Sequence, residues 1–582
     1  MKPTVPARRG VLAVCAIGLL LLLPFINKPF HSDDPFFLWP AIGILKHPAN
    51  FYSDSINWEG REQHFSDFCQ NPPLTSYAIA AVASLAGFSE RALHLSFLVF
   101  NLSTIVGVYL LAQHFGCRRP ALAVVLMLLA PAVLVSMTSI MCEPVFLCFW
   151  TWSVLLWEWG SSSRRPWLLP LAGVAIAAAI LSKYLCVCLL PLLIAHAILR
   201  PAPGWRTRLF QFLSMLIPAA ALAVYEWYCV RLYGHGLFTA AMRFGAQIHE
   251  AVKIPKPLAA LDTLAFLGGG FFSVALINCF AVRPRMRWLC VLAIPLIALL
   301  AAHYVRPPRG WTGAPPIPGG ANVIDASDPS APISTGRWYY IEYGLLGAAG
   351  LLILVACVQW LLFHVKSSRD DATENWRADL FLLLWIGGII VFAAFINWSI
   401  NARTLVPMAP ALCILVVRMI DGLSKRALRV VQLSLIAAAV LAIAATAADY
   451  RVATACRDAA DQIDAFFAPR PDQTIWFAGH SGWQYYMQQH GARPLVQYAT
   501  DVRPGDIVVY PVHHFGASPG GHGFQYIRTF TIPHPGYVAT MQTDLGAEFY
   551  CSFGQGLPFI IGPVQPESFI ALRATPATRI ER

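Results

Sequence analysis

The stretch VLAVCAIGLLLLLPFINKPFHSDDPFFLWP, residues 11–40, joins an apolar run to two adjacent carboxylates. The run 11–27 is long enough to cross a hydrocarbon core of ~30 Å, which needs about 17 to 25 residues. Asp33 and Asp34 follow shortly after the run ends, and aromatic residues and prolines follow them. Such a segment is unlike a plain solvated loop. It indicates a membrane span with chemistry beside it, at the lipid–water boundary.

The composition of the whole chain supports this reading. Of its 582 residues, 57% are hydrophobic and 13% are charged, whereas soluble globular domains have about 25% charged residues. The chain is therefore a polytopic α-helical membrane protein. We expect about thirteen transmembrane helices, of which the first is retained because no small-residue cleavage site precedes Asn27. The predicted spans lie near 11–27, 92–114, 120–137, 143–160, 167–182, 184–199, 209–232, 260–281, 288–305, 341–364, 379–397, 404–421 and 428–448.

The positions of Lys and Arg predict the orientation of these spans, because short cytoplasmic loops are rich in both residues. If the N-terminus is cytoplasmic, alternate loops are basic, and the short outward loops hold only Lys183 and Arg403. The net charge of +11 then reflects topology, and we do not expect nucleic acid as a partner. The basic loops contain Arg118-Arg119, Arg164-Arg165, Arg200 to Arg208, Arg283 to Arg287, Lys366 to Arg377 and Lys425 to Arg429.

Two regions result from this topology. Residues 1–448 form a transmembrane module with long outward segments at 28–91, 233–259 and 306–340, and residues 449–582 form an extracytoplasmic tail. The tail has soluble composition, with strand-like runs at 474–478 and 506–510 around a helix near 483–490, so we predict a small α/β domain. The sequence leaves open whether its Cys456 and Cys551 form a disulfide.

Several motifs resemble those of GT-C-fold glycosyltransferases of family 39, the protein O-mannosyltransferase and lipid A aminoarabinose transferase type. In that family an acidic pair, usually Asp-Glu, follows the first span, and a Pro-Pro-Leu element comes later in the same loop. This chain differs in having Asp34 as the second acid and Asn71, not Lys, before the prolines. The matching stretches are Ser32-Asp33-Asp34-Pro35, Asn71-Pro72-Pro73-Leu74, Glu143-Pro144, Ser182-Lys183-Tyr184 and Arg403-Thr404-Leu405-Val406-Pro407.

The resemblance implies a membrane enzyme that moves a sugar from a polyprenyl-phosphate donor to a lipid, glycan or protein acceptor outside the membrane, with inversion. It assigns the base to the first acid, Asp33, and a positioned base is worth roughly 10²–10⁴ in rate. Asp34 would orient Asp33, bind the acceptor or bind a divalent cation. Either acid could instead cap an interfacial helix that begins at Pro35. Metal use is not determined by the sequence.

The remaining candidates would bind substrates. Lys183 and Arg403 stand on the side where cations are disfavoured, so we expect them to hold the donor phosphate, although each could simply anchor a helix end. Glu143 would contact the acceptor or pair with Lys183. Tyr77 would stack on a sugar or belong to the interfacial aromatic belt, and Asn71 is a further substrate-binding candidate.

Two other classes of function remain open on sequence grounds. A transporter or flippase would carry ionisable residues within its spans, yet the mid-span regions here are almost free of charge. A non-catalytic scaffold would leave the acidic pair and Lys183 unexplained. We therefore expect an integral membrane enzyme of a bacterial inner membrane, surrounded by membrane lipid.

Overall fold

The computed structural model describes most of the chain from Arg8 to Ile580, and the statements below concern the described residues. Residues left outside the description are 1–7, 59, 163–164, 201–203, 306–334, 368–372, 469–472, 497–500, 513–518, 520–521, 534, 543–544, 555 and 581–582. Most of the predicted outward segment 306–340 is thus outside the described residues.

Apart from one short β-hairpin, the described secondary structure up to residue 467 is helical. Short 3₁₀ turns lie at Leu23–Phe25, Tyr184–Cys188 and Val406–Met408. The α-helices are α1 Arg8–Leu22, α2 Pro35–Lys46, α3 Phe65–Phe68, α4 Leu74–Ala86, α5 Glu90–His114, α6 Pro120–Leu128, α7 Pro131–Met137, α8 Cys142–Ser162, α9 Leu168–Ile180, α10 Leu189–Leu199, α11 Trp205–Tyr233, α12 Leu237–Val252, α13 Lys256–Gly270, α14 Phe272–Ala281, α15 Pro284–Tyr304, α16 Thr335–Ser367, α17 Thr373–Phe395, α18 Ala402–Leu405, α19 Ala409–Ile420, α20 Lys425–Phe467 and α21 Ser481–Gln489.

Most of the thirteen predicted spans meet the length and composition expected of a membrane-spanning helix. Eight described helices are long and apolar enough to cross a membrane, or ten if the bent pairs α6–α7 and α13–α14 each count as one span. All thirteen predicted spans fall on helical segments, but three fail the criteria. Helix α8 carries two glutamates among its apolar residues, and the helices at 168–180 and 184–199 are short. The class of polytopic helical membrane protein is confirmed.

Residues 28–91, called the first outward segment after their predicted side of the membrane, form a folded structure. It contains helix α2, the antiparallel hairpin of β1 Ser55–Asn57 and β2 Glu62–His64, and helix α4. Pro35 begins α2, as expected for a residue whose missing N–H is not needed in a first helical turn. The N–H of Leu74 donates to the carbonyl of Leu181 at 3.0 Å, which ties this segment to the turn that carries Lys183.

The C-terminal region contains a mixed sheet, as predicted. Its central sheet has the order β4-β3-β5-β11-β6, with β3 parallel to β4 and β5, and β11 antiparallel to β5 and β6. Helix α20 runs unbroken from the last predicted span through residue 449 to Phe467. The strands are β3 Ile475–Phe477, β4 Arg493–Pro494, β5 Ile507–Pro511, β6 His522–Ile532, β7 Val538–Ala539, β8 Met541–Gln542, β9 Ala547–Glu548, β10 Ile560–Ile561 and β11 Glu567–Arg579.

The C-terminal region packs against the first outward segment. The N–H of Phe30 donates to the hydroxyl of Tyr486 on α21 at 2.7 Å, and the hydroxyl of Tyr486 donates to Glu90 at 2.5 Å. The pairing left open for Cys456 and Cys551 is not present, because both are free thiols. The acidic pair therefore lies in a segment that the C-terminal region contacts directly.

Candidate active site

Asp33 forms an ion pair with Arg403. Asp33 directly precedes the N-cap residue of α2, and Arg403 lies in α18, whose N-cap residue Asn401 accepts the N–H of Thr404 at 2.8 Å. Nη1 of Arg403 donates to Oδ2 of Asp33 at 2.7 Å. The side chain of Asp33 is 36% exposed, so this carboxylate remains accessible to a substrate while the arginine orients it.

Glu143 connects this pair to Lys183. Its buried Oε1 accepts a hydrogen bond from Nζ of Lys183 at 2.7 Å and lies 3.1 Å from Nε of Arg403. Glu143 is in the first turn of α8, where the helix dipole favours an acid. The structure thus joins four predicted site residues, Asp33, Arg403, Glu143 and Lys183, in one network, which we call the ion network.

The ion network balances two acids with two cations. Lys183 is 19% exposed and Arg403 is 13% exposed. Lys183 also lies over the ring of Phe146, with Nζ 5.1 Å from the ring centroid. Within the described residues, Oε2 of Glu143 is buried without a hydrogen-bond partner. Such an oxygen can accept a bond from a ligand hydroxyl or from a rearranged cation.

Asp34 has a different environment from Asp33. It is buried, and its two oxygens accept the backbone N–H groups of His31 at 2.8 Å and Ile140 at 2.9 Å. Its side chain does not cap α2. Burial raises the pKa of Asp34 to about 7, against the opposing effect of Lys28. Asp34 therefore holds the segment before α8, where Sδ of Met141 lies 3.1 Å from Nη1 of Arg403.

Tyr77 and Asn71 lie outside the ion network. The hydroxyl of Tyr77 donates to the carbonyl of Pro48 at 2.6 Å. The amide of Asn71 donates to Sγ of Cys69 at 3.4 Å. Burial, with a smaller effect of the Asp33 charge, raises the pKa of Cys69 to about 11. The hydrogen bonds of Asn71 and Tyr77 thus go to neighbouring residues of the same segment and not to the ion network.

The sequence reading missed a buried cluster behind Arg403. Nζ of Lys28 lies 2.5 Å from Oδ2 of Asp449, and the hydroxyl of Tyr550 donates to the same oxygen at 2.9 Å. The ring of Tyr550 lies beneath Arg403, with the guanidinium carbon 5.5 Å from the ring centroid. A lone acid directly after the last apolar run was a usable signal for Asp449. Tyr550 gave no such signal.

No metal site accompanies these groups in the described part of the chain. None of its His, Cys, Asp and Glu residues form a group of three or more that could hold an ion. A divalent cation, which the sequence left open for Asp34, therefore has no set of protein ligands among the described residues.

Comparison with known proteins finds a family similarity in the N-terminal half of the chain. A family model described as dolichyl-phosphate-mannose-protein mannosyltransferase matches residues 70–228. Over this segment the chain is similar to that family. The resemblance found from the motifs is thereby confirmed, and the chain is a membrane glycosyltransferase of the type that uses a lipid-phosphate sugar donor. The matched segment contains Glu143 and Lys183, while Asp33 and Arg403 lie outside it.

Solved glycosyltransferases share similarity with the chain over longer stretches. ArnT from Cupriavidus metallidurans bound to undecaprenyl phosphate is 12% identical, with a TM-score of 0.41 over 87% of this chain and 94% of that protein. The Archaeoglobus fulgidus oligosaccharyltransferase tethered with an acceptor peptide is 11% identical, with a TM-score of 0.47 over 84% of this chain and 64% of its own length. The S. cerevisiae protein O-mannosyltransferase Pmt1–Pmt2 complex bound to the sugar donor is 13% identical, with a TM-score of 0.32 over 40% of this chain and 34% of that protein. No curated protein sequence matches the chain.

Proposed function

We propose that this glycosyltransferase moves a sugar from a polyprenyl-phosphate donor to an extracytoplasmic lipid, glycan or protein acceptor by an inverting displacement. The observation that carries the proposal is the ion network. It sets an accessible carboxylate, Asp33, 2.7 Å from one of two cations that share Glu143. A base beside a phosphate-binding pair of cations is what this reaction requires.

In the proposed step, the acceptor hydroxyl attacks the anomeric carbon from the face opposite the phosphate. Its proton passes to the carboxylate of Asp33, the bond between the anomeric carbon and the phosphate oxygen breaks, and the polyprenyl phosphate leaves with that electron pair. Arg403 orients Asp33 and, with Lys183, offsets the charge that develops on the leaving phosphate. Asp34 acts as a positioning residue through the backbone N–H of Ile140.

The charge balance of the ion network bears on donor binding. Glu143 neutralises part of the charge of both cations, so a donor phosphate must share them with it. Lys183 suits this exchange, because its ammonium has three donors and its side chain remains partly exposed. Glu143 in turn keeps the two cations together when no phosphate is bound, since it carries contacts to both.

The membrane orientation completes the proposal. We place the N-terminus in the cytoplasm of a bacterial inner membrane and the ion network with the C-terminal region outside, as the distribution of Lys and Arg favours. The lipid donor would then approach Lys183 and Arg403 from the outer leaflet.

The test is a transfer assay with purified full-length protein in lipid, a panel of radiolabelled polyprenyl-phosphate sugars, and envelope extract as the source of acceptor. We expect transfer from at least one donor by the wild type, and its loss in Asp33→Asn and Lys183→Ala at equal folded amounts. Glu250→Gln, a change of an exposed acid on α12, is the matched control. Absence of transfer from every donor, with solute or lipid movement across the bilayer instead, would overturn the proposal.

A further inference from the structure

A cavity of about 390 Å³ lies between the first outward segment and the C-terminal sheet. Its volume is within the ~300–1,000 Å³ of pockets that bind small molecules. No member of the ion network lines it. One wall comes from α2 and the β1–β2 hairpin, and the other from β3, α21 and β4. The residues that carry the argument are Trp39, Asp54, Glu62, Trp476, Gln488 and Arg493.

The chemistry of this lining suits an uncharged, hydroxyl-rich ligand. Carboxylate, amide and guanidinium groups accept from or donate to hydroxyls, and indole rings supply flat apolar faces. Trp476 is a fixed wall, because its Nε1 donates to Asp506 at 3.0 Å. Within the described residues, neither Glu62 nor Arg493 forms an ion pair, so both are available to a ligand. Asp54 is paired with Lys46 at 3.5 Å, so Glu62 and Arg493 leave the lining close to charge balance, which suits a neutral ligand better than a phosphate group.

The cavity is rigidly connected to the proposed base. Trp39 lies on α2, which begins directly after Asp33 and Asp34. At about 1.5 Å per residue, Trp39 is roughly 9 Å along the helix direction from Asp33. The cavity is therefore built in part on the same short segment that carries the acidic pair.

We propose that this cavity binds a neutral saccharide portion of the acceptor, between the first outward segment and the C-terminal region. The proposal rests on the proposed function for the identity of the ligand as an acceptor, and it narrows the acceptor from lipid, glycan or protein to a saccharide-bearing molecule. Arg493 and Gln488 give the C-terminal region a direct part in acceptor recognition.

Binding is tested first, without transfer. Full-length protein in lipid nanodiscs is mixed with glucosyl, mannosyl and N-acetylglucosaminyl disaccharides, and saturation-transfer NMR reports contact. We expect signal from at least one disaccharide, weakened about tenfold by Glu62→Gln or Arg493→Ala, as the loss of a charged hydrogen bond predicts. Glu250→Gln and Arg579→Ala, which alter exposed residues away from the cavity, should leave the signal unchanged. Absence of signal, or equal signal in the cavity variants, would overturn the proposal.

Kinetics then separate this proposal from the proposed function. With a saccharide acceptor, the cavity variants should raise the KM for the acceptor about tenfold and leave donor hydrolysis by water unchanged. Saccharide binding without any donor cleavage by the wild type would overturn the proposed function and leave the cavity a saccharide site. Transfer to a Ser/Thr peptide alone, with no saccharide binding, would overturn the cavity proposal and leave the proposed function standing.

Discussion

The two carboxylates of the acidic pair are adjacent in the chain and differ in almost every physical respect. Asp33 is 36% exposed and is held by a single guanidinium. Asp34 is 1% exposed and accepts two backbone N–H groups. A general base has to reach its substrate, whereas a buried carboxylate with both oxygens engaged can only hold its surroundings. The exposure of the two side chains therefore separates the proposed base from the proposed positioning residue.

Asp34 predicts a pH dependence of stability. Its pKa is raised from 3.8 to about 7, mainly by burial. The folded state thus binds the proton of Asp34 more tightly than the unfolded state does. The contribution of this proton to stability is full below about pH 4 and is lost as the pH rises to about 7. The change is on the order of a few kcal/mol. Asp34→Asn, which stays neutral, should flatten the fall in Tm across this range. If the Tm of this variant falls with pH as much as that of the wild type, the raised pKa assigned to Asp34 is wrong.

The contacts of Tyr550 predict different donor KM values for two variants of this residue. Tyr550→Phe keeps the ring beneath Arg403 and loses the bond to Asp449, whereas Tyr550→Leu loses both. A cation–π contact is worth about 0.5–2 kcal/mol, so the Leu variant should raise the KM for the donor several-fold above that of the Phe variant. Steady-state kinetics at equal folded amounts measure this. Equal KM values would show that the ring does not position Arg403.

At the scale of elements, the end of the first span is joined to α20 by a buried ion pair. Lys28 and Asp449 are both 0% exposed. Removing one partner of a buried ion pair costs about 3–5 kcal/mol. Asp449 would keep its contacts to Tyr550 and to Nε2 of His31 at 3.5 Å but would lose its lysine. Lys28→Met should therefore lower Tm sharply, and Lys28→Met with Asp449→Leu should recover much of the loss. Additive losses in the double variant would show that the pair does not join these elements.

The sequence could predict the elements and the parts of the site that have local signals. Lys183 and Arg403 stood out because they break the charge pattern of the outward loops, and Glu143 because it opens an apolar helix. Lys28 and Asp449 are 421 positions apart, and no local pattern reports such a pairing. The apolar runs predicted where the helical segments lie, but they do not reveal where a helix bends, as α6–α7 and α13–α14 do.

At the scale of the whole molecule, the proposed orientation predicts which residues are accessible from outside the cell. Tyr537 is 74% exposed in the C-terminal region, and Arg285 lies in a predicted cytoplasmic loop. In intact cells a membrane-impermeant maleimide should label Tyr537→Cys above the level of the parent protein. It should label Arg285→Cys only after the membrane is permeabilised. The reverse labelling pattern would show that the C-terminal region faces the cytoplasm, and it would contradict the proposal of an extracytoplasmic acceptor.

The molecule as a whole brings three distant parts of the chain to one site. The first outward segment supplies Asp33, the family-matched segment supplies Glu143 and Lys183, and the region before α19 supplies Arg403. The C-terminal region adds Tyr550 behind Arg403 and one wall of the cavity. Separate parts of the chain therefore carry the base, the cations and the proposed acceptor site, and their roles can be measured separately.

The most direct measurement of the central claim compares donor binding with sugar transfer in Asp33→Asn and Lys183→Ala, using one labelled polyprenyl-phosphate sugar and equal folded amounts. We predict that Asp33→Asn binds the donor as the wild type does and loses transfer by roughly 10²–10⁴. Lys183→Ala should lose donor affinity. If Asp33→Asn keeps its transfer rate, or if Lys183→Ala binds the donor unchanged, the roles assigned to the ion network are wrong.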